Sequence, residues 1–149
     1  MQFICPVSNK KINETTARFT AFLSFTLLIV FIVTTIEIFL WFLAVDFFIR
    51  ALAMGKYSLL AALSKQLYNI TRKSSAMLNA GPKIFAARIG FFLCAAAILF
   101  WYTPMGSISI LLLSVLALFC FLEAVFGFCM ACVIYPFLYR IVYRSDFND

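Results

Sequence analysis

The last apolar stretch of the chain, Ser107 to Tyr139, most constrains what the chain can fold into. It contains a single charged residue, Glu123, and is longer than the ~20 residues with which a helix crosses a bilayer. The surplus is expected to project into one membrane interface as further helical turns, and it carries Cys129 and Cys132. A carboxylate and a thiol pair are costly or reactive groups beside lipid, so this stretch is the first place to look for function.

Composition places the whole chain in a membrane. Of its 149 residues, 65% are hydrophobic and 12% are charged, and the mean hydropathy is +1.04. A soluble globular protein has an apolar share nearer 45–50%. The apolar runs predict one all-α domain over residues 1–149, a four-span helix bundle with spans at 17–34, 36–54, 83–102 and 107–139.

The only long polar connection, residues 55–83, is predicted to hold an amphipathic helix between spans two and three. Leu60, Leu63, Leu67 and Ile70 recur there at helical spacing, opposite a polar face that contains Lys65, Asn69, Arg72 and Lys73. A basic polar face suits anionic headgroups, which favours a helix lying in the membrane interface. Packing of this helix onto the protein's own spans stays open as an alternative.

All twelve basic residues flank one membrane face. The predicted turns at Thr34-Thr35 and Thr103–Gly106 contain neither Lys nor Arg. Because cytoplasmic loops are enriched in basic residues, both termini are predicted to be cytoplasmic, in a multi-pass protein of the cell (inner) membrane. The net charge of +6 belongs to this flanking pattern and does not indicate a nucleic-acid partner.

Five charged residues are predicted to lie in the cytoplasmic half of the bundle: Arg18, Asp46, Arg50, Arg88 and Glu123. A charge at a helix centre costs about 2.5–3.5 kcal/mol on insertion scales, so Asp46 and Glu123 are expected to face inward and pair with Arg50 or Arg88. Two interpretations stay open, ion pairs that fix helix register and a substrate site. Three arginines beside two carboxylates favour an anionic or thiolate-bearing ligand.

The five cysteines divide by depth. Cys94 and Cys120 lie among apolar residues near mid-membrane, where a cysteine packs as a small hydrophobe. Cys5, Cys129 and Cys132 are predicted near the cytoplasmic face, where a Cys-x-x-Cys pair indicates redox chemistry or soft-metal binding. Packing of two small residues is the alternative for this pair.

The position of the pair in a continuous helix argues against easy activation. A helix N-terminus stabilises a thiolate, whereas Cys129 and Cys132 are expected near the C-terminal end, where the helix dipole opposes it. Activation is then expected to need Arg88, Arg140 or a break at Gly127. The chain contains no histidine, which excludes His-ligated haem, the usual zinc-hydroxide chemistry and Cys-His nucleophilic pairs.

Several short motifs occur in one order along the chain: Ile4-Cys5-Pro6-Val7, Asn13-Glu14 with Ala17-Arg18, Asp46-Phe47 with Arg50, Gly81-Pro82-Lys83 with Phe85–Gly90, and Cys129-x-x-Cys132. On these motifs the chain resembles, over nearly its full length, domain-of-unknown-function family 4395, small bacterial multi-pass membrane proteins. The resemblance implies a fold and a set of positions that includes the thiols. It supplies no reaction.

The leading functional hypothesis is the handling of thiol or reduced-sulfur species at the membrane, by dithiol exchange or by uptake and relay of a sulfur compound. Cys129 and Cys132 are the expected working pair, with Cys5 as a third thiol. The alternatives are a carrier of Cu, Zn or Hg held by these three thiolates, and a non-catalytic scaffold. Expected partners are the lipid bilayer and a thioredoxin-like or sulfurtransferase protein, and homo-oligomer formation stays open.

Overall fold

The computed structural model describes residues 11–52, 54, 56–71, 77–127 and 129–146. Over these residues the chain is all-α apart from two strands of three residues each. In chain order the elements are β1 (Lys11–Asn13), α1 (Glu14–Thr34), α2 (Glu37–Ala51), α3 (Leu59–Thr71), β2 (Met77–Asn79), α4 (Ala80–Trp101), α5 (Gly106–Phe126) and α6 (Met130–Asp146).

Four apolar helices, α1, α2, α4 and α5, pack around one hydrophobic core. α4 packs against both α2 and α5, while α1 packs against α5 and α2. The fully buried side chains at their centre are Leu28, Phe31, Leu43, Cys94 and Leu113. Phe31 of α1 also meets Trp101 of α4 edge-to-face, with ring centroids 5.4 Å apart. Apolar runs predicted from the sequence thus converge on a shared interior.

Among the residues that the structure describes, three helices are long and apolar enough to cross a membrane, Glu14–Thr34, Gly81–Trp101 and Gly106–Phe126. In their most apolar 18-residue stretches, only 33%, 28% and 28% of the residues, respectively, are buried inside the protein. Large apolar side chains such as Phe22, Phe92 and Leu111 cover their outer surfaces. Such a surface requires an apolar solvent, so the chain is a membrane protein.

The second predicted span, 36–54, is shorter in the structure. α2 contains 15 residues, about 22 Å of helix against a hydrocarbon thickness of ~30 Å. It begins at Glu37, directly after the predicted turn at Thr34-Thr35, where Thr35 adopts a left-handed conformation with φ 54°. The predicted turn is confirmed. α2 is too short to be identified as a membrane span by its length and composition.

The prediction of one continuous helix over 107–139 is wrong. α5 ends at Phe126, and Gly127 caps it in the left-handed conformation, with φ 65° and its amide donating to the Glu123 carbonyl at 3.0 Å. The chain resumes as α6 at Met130, which packs against α4 instead of prolonging α5. A glycine with positive φ ends a helix readily because it has no Cβ to clash with its own backbone.

The two ends of the bundle differ in charge. We call the basic end the end formed by the start of α1, the end of α2, the start of α4 and the end of α5. At the opposite end, Glu37 accepts hydrogen bonds from Trp101 Nε1 at 3.1 Å and from the Tyr102 hydroxyl at 2.8 Å. These bonds link the start of α2 to the end of α4.

Two features tie the elements of the basic end together. β1 and β2 pair antiparallel, with Lys11 opposite Asn79, and so join the start of α1 to the start of α4. α3 packs on α1, where Thr20 Oγ1 donates to Ser64 Oγ at 2.8 Å in a buried contact. Leu60 is buried beside this contact, so α3 is attached to the bundle, as the packing alternative predicts.

α2 and α4 approach closely at Gly90. A Cβ at this position would lie 2.7 Å from Cε1 and 2.8 Å from Cδ1 of Phe47, closer than carbon atoms pack. The Phe47 ring is in turn covered by the Arg50 guanidinium, 5.1 Å from the ring centroid. The missing side chain of Gly90 therefore allows the helix contact that positions Asp46, Phe47 and Arg50.

Candidate functional site

Among the described residues, Asp46 is the most deeply buried charged side chain of the basic end, with 3% of its surface exposed. Its Oδ1 accepts a hydrogen bond from the Ser58 hydroxyl at 2.6 Å, and its Oδ2 lies 3.5 Å from Arg50 Nη1. Pairing of Asp46 with an arginine is confirmed. The shorter bond, however, comes from Ser58, which is not part of the predicted charge cluster.

Ser58 also caps α3. Its hydroxyl oxygen accepts the backbone N–H of Ala61 at 3.2 Å, three residues further on, which is the geometry of a helix N-cap. The Asp46 carboxylate therefore lies near the N-terminal end of α3, where the helix dipole stabilises negative charge. A serine directly before the apolar run Leu59-Leu60 is the sequence signal that identifies this residue.

Arginines from neighbouring helices lie at the C-terminal ends of α2 and α5. Arg88 Nε donates to the carbonyl of Ala51, the last residue of α2, at 3.3 Å. Arg18 pairs with Glu14 at 2.7 Å and packs against Gly127, just beyond α5. Positive charge is favourable at both places because helix C-termini carry unpaired carbonyls and the negative end of the dipole.

The Arg18 guanidinium occupies the space that a side chain at Gly127 would need. A Cβ at Gly127 would lie 2.7 Å from Arg18 Nε and 2.8 Å from Cζ. Arg18 Nε is buried and has no hydrogen-bond partner among the described residues. The Arg18 guanidinium therefore lies where the absence of a side chain at Gly127 leaves room for it.

Glu123 pairs with a residue that was predicted only as a helix start. Lys83 Nζ lies 3.5 Å from Glu123 Oε1, and both side chains are mostly buried. The sequence predicted Arg50 or Arg88 as the partner. Lys83 lies in the first turn of α4, and Glu123 lies in the last turn of α5. The two side chains meet because the start of α4 and the end of α5 lie at the same end of the bundle.

Cys94 and Cys120 are buried, as predicted, whereas Cys129 is partly exposed. Cys94 and Cys120 are buried thiols inside α4 and α5, within the hydrophobic core. Cys129 is a half-buried thiol between α5 and α6. Cys132 is the third residue of α6, and Cys5 lies outside the described residues.

The break at Gly127 changes the position of Cys129 relative to the helix dipole. The Cys129 carbonyl accepts the backbone N–H of Val133 at 3.2 Å, so Cys129 occupies the N-cap position of α6. In a continuous helix over 107–139 the thiol pair would lie toward the C-terminal end. Because α5 stops, the pair begins a new helix, and the dipole that was expected to oppose a thiolate now favours it.

The described residues include no group of three His, Cys, Asp or Glu side chains able to hold one metal ion. The predicted metal ligands Cys5, Cys129 and Cys132 are not tested by this observation, because Cys5 and the side chain of Cys132 lie outside what the structure describes. Thiolates remain the donors that a soft metal would require here.

Comparison with known proteins places the chain in a family. A family model described as "Domain of unknown function (DUF4395)" matches residues 12–140. The chain belongs to this family. The match includes Asp46, the Gly127 break and the Cys129-x-x-Cys132 pair, so all are within the DUF4395 domain. No curated protein and no solved structure matches the chain.

Proposed function

We propose that this DUF4395 protein carries out thiol–disulfide exchange at the membrane, with Cys129 as the attacking thiol and Cys132 as the resolving thiol. The supporting observation is the N-cap position of Cys129 in α6, with Cys132 three residues on. Cysteines at helix N-termini and in Cys-x-x-Cys pairs have lowered pKa values as a class, and the thiolate is the reactive form. Sulfur relay by the same pair is the variant of this chemistry in which the transferred group is a sulfur atom.

The exchange proceeds in two displacements. The Cys129 thiolate attacks one sulfur of a substrate disulfide, and the other half of the substrate leaves as a thiolate that takes up a proton. The Cys132 thiolate then attacks Cys129 Sγ, forms the intramolecular disulfide and releases the second half as a thiol. The substrate gains two electrons and two protons, which the dithiol pair loses. A thioredoxin-like protein dithiol is the proposed reductant that restores the pair.

The charges of the basic end favour a negatively charged substrate. Arg18 packs beside Gly127, two residues before Cys129, and Lys83 and Arg88 lie at the same end of the bundle. Glu14 and Glu123 offset part of this charge. The remaining positive charge lowers the free energy of a thiolate or a carboxylate-bearing disulfide in this region.

The test is mild oxidation of the purified protein followed by mass mapping of the cysteines. We expect one disulfide joining Cys129 to Cys132, reversed by dithiothreitol, and we expect C129S and C132S each to abolish it. C94A is the matched control, because Cys94 is buried in the core and plays no part in the exchange. If Cys129 and Cys132 stay reduced while a small-molecule dithiol is oxidised in the same tube, the exchange proposal is wrong.

The same variants separate the other two hypotheses. A soft-metal carrier would bind Cu(I) or Hg²⁺ with a stoichiometry that falls in C129S and C132S, without forming the internal disulfide. A scaffold would be indifferent to both substitutions in oxidation, metal titration and a growth assay on limiting sulfur sources. Loss of growth in C129S and C132S, but not in C94A, would support thiol or sulfur handling.

We further propose that α2 is a fourth, short span and that α3 lies in the interface at the basic end. α2 runs from Glu37 at the opposite end to Ala51 at the basic end, alongside α4. α3 buries Leu60 and Ser64 against the bundle but exposes an apolar stripe of Leu59, Leu63, Leu67 and Ile70. That stripe adjoins a polar side containing Lys65, as expected for a helix at a lipid surface.

We propose that the protein lies in the cell inner membrane with its basic end and both termini on the cytoplasmic side. Cytoplasmic loops of membrane proteins are enriched in Lys and Arg, which supports this orientation. An impermeant maleimide applied to intact cells is expected to label T103C and to miss K65C. Both positions are exposed, so access alone does not distinguish them. The reverse pattern would invert the proposed orientation, and labelling of both from outside would contradict the four-span arrangement.

A further inference from the structure

α6 carries an apolar face that no part of the described chain covers. Its exposed large apolar residues are Met130, Val133, Ile134, Phe137, Leu138 and Ile141. At 100° per residue these six positions fall within an arc of about 140° on one side of the helix. Tyr135 lies outside this arc and contacts Phe85 of α4, with ring centroids 5.9 Å apart. One side of α6 therefore packs on the bundle, while another is a continuous apolar surface.

We propose that α6 is an in-plane membrane helix whose apolar face is embedded in the bilayer at the basic end. The proposal concerns the surface of α6 and holds whether or not the thiol pair exchanges disulfides. Its occupant is the lipid of the membrane that already surrounds α1, α4 and α5.

The connection to α5 places α6 at the boundary of this membrane. α5 is an apolar helix long enough to span, and α6 begins only a few residues after it ends. The same end of the bundle holds the first turns of α4, to which α6 is attached through Tyr135 and Phe85. A helix fixed there by both contacts lies where hydrocarbon meets water.

The position of Arg140 on α6 is consistent with this location. Arg140 is exposed and falls by helical register at the margin of the apolar arc, next to Val133. A base at the margin of an apolar face can reach headgroup phosphates while the face contacts acyl chains. α3 also exposes an apolar stripe at the same end of the bundle, with Lys65 on its polar side. A second copy of the chain would cover the apolar face but would leave the agreement between α3 and α6 unexplained.

The test is photo-cross-linking of the whole protein in nanodiscs of phosphatidylcholine and phosphatidylglycerol. Benzoylphenylalanine replaces Phe137, which is 67% exposed on α6, and in a second protein Leu111, which is 63% exposed on α5 and serves as the lipid-facing reference. A third protein carries it in place of Lys65, on the polar side of α3. Mass spectrometry measures the lipid adducts of each.

We expect position 137 to give lipid adducts at a yield similar to position 111 and several-fold above position 65. Ile141, on the same arc, is the second reporter if the Phe137 replacement lowers folded yield. A yield at both α6 positions no higher than at position 65 would overturn the proposal. Adducts to a second copy of the chain in place of lipid would overturn it too, and would identify the face as an oligomer interface.

Discussion

Gly127→Ala is expected to lower the free energy of unfolding by about 1–3 kcal/mol. The left-handed conformation of Gly127 costs about 1–2 kcal/mol for a residue that has a Cβ. Overlap of that Cβ with the Arg18 guanidinium adds at most about 1 kcal/mol, because the guanidinium is the end of a flexible side chain and can move away from α5. The measurement is thermal unfolding in detergent, followed by the fraction that remains monodisperse on size exclusion.

Gly106→Ala is the matched control. Gly106 is the first residue of α5, and a Cβ there meets no atom within 4 Å of the described chain. Its substitution is expected to be neutral or to stabilise by a few tenths of a kcal/mol, because alanine favours a helix more than glycine does. Equal losses at the two glycines would mean that neither φ nor Arg18 limits position 127.

A double variant separates the two contributions at Gly127. In an Arg18→Ala background the overlap is absent, so Gly127→Ala is expected to cost only the backbone component of about 1–2 kcal/mol. If the loss caused by Gly127→Ala is the same in both backgrounds, the contact with Arg18 contributes nothing to it. The cycle also measures how strongly Arg18 stabilises the end of α5.

Asp46→Ala is expected to destabilise the protein by about 2–3 kcal/mol. The substitution leaves the buried Ser58 hydroxyl without its acceptor and leaves Arg50 without its carboxylate. Arg50 is partly exposed and can redirect its guanidinium to water, so the loss stays below that of a fully buried ion pair. The change in unfolding midpoint of the purified protein measures the effect.

Glu14→Ala is the control that tells whether the loss of stability in Asp46→Ala comes from the burial of the carboxylate or from its charge alone. Glu14 forms an i,i+4 pair with Arg18 on a partly exposed surface, and such pairs contribute about 0–1 kcal/mol.

Ser58→Ala combined with Asp46→Ala is expected to cost less than the sum of the single changes, because both remove the same hydrogen bond. Strict additivity would show that Asp46 and Ser58 act independently.

The helices were predictable because their apolar runs are long. Residues 17–34 and 107–126 have few helix-breaking residues, and the turn at Thr34-Thr35 follows from a run too long for one span. The strands were not predictable, because β1 and β2 contain three residues each and pair across most of the first half of the chain. A pattern of three residues carries too little periodicity to indicate a strand.

The break at Gly127 shows why the site was only partly predictable. Glycine inside an apolar run is common in membrane helices, so the sequence alone does not decide between a continued helix and a left-handed cap. In the structure, Gly127 adopts the left-handed cap, and Arg18, from more than a hundred residues earlier in the chain, packs beside it. The position of Cys129 relative to the dipole follows from this break, and so does the chemistry proposed for it.

The β1–β2 ribbon has a consequence for biogenesis. β1 precedes the first apolar helix, whereas its partner β2 follows α3, so the ladder cannot close until the ribosome has translated Asn79. During that interval α1 and α2 are translated while β1 has no partner strand. Because α4 starts directly after β2, pairing of the strands becomes possible as α4 leaves the ribosome. The β1–β2 ribbon therefore forms only after about half of the chain has been synthesised, and it then joins the segment before α1 to the segment before α4.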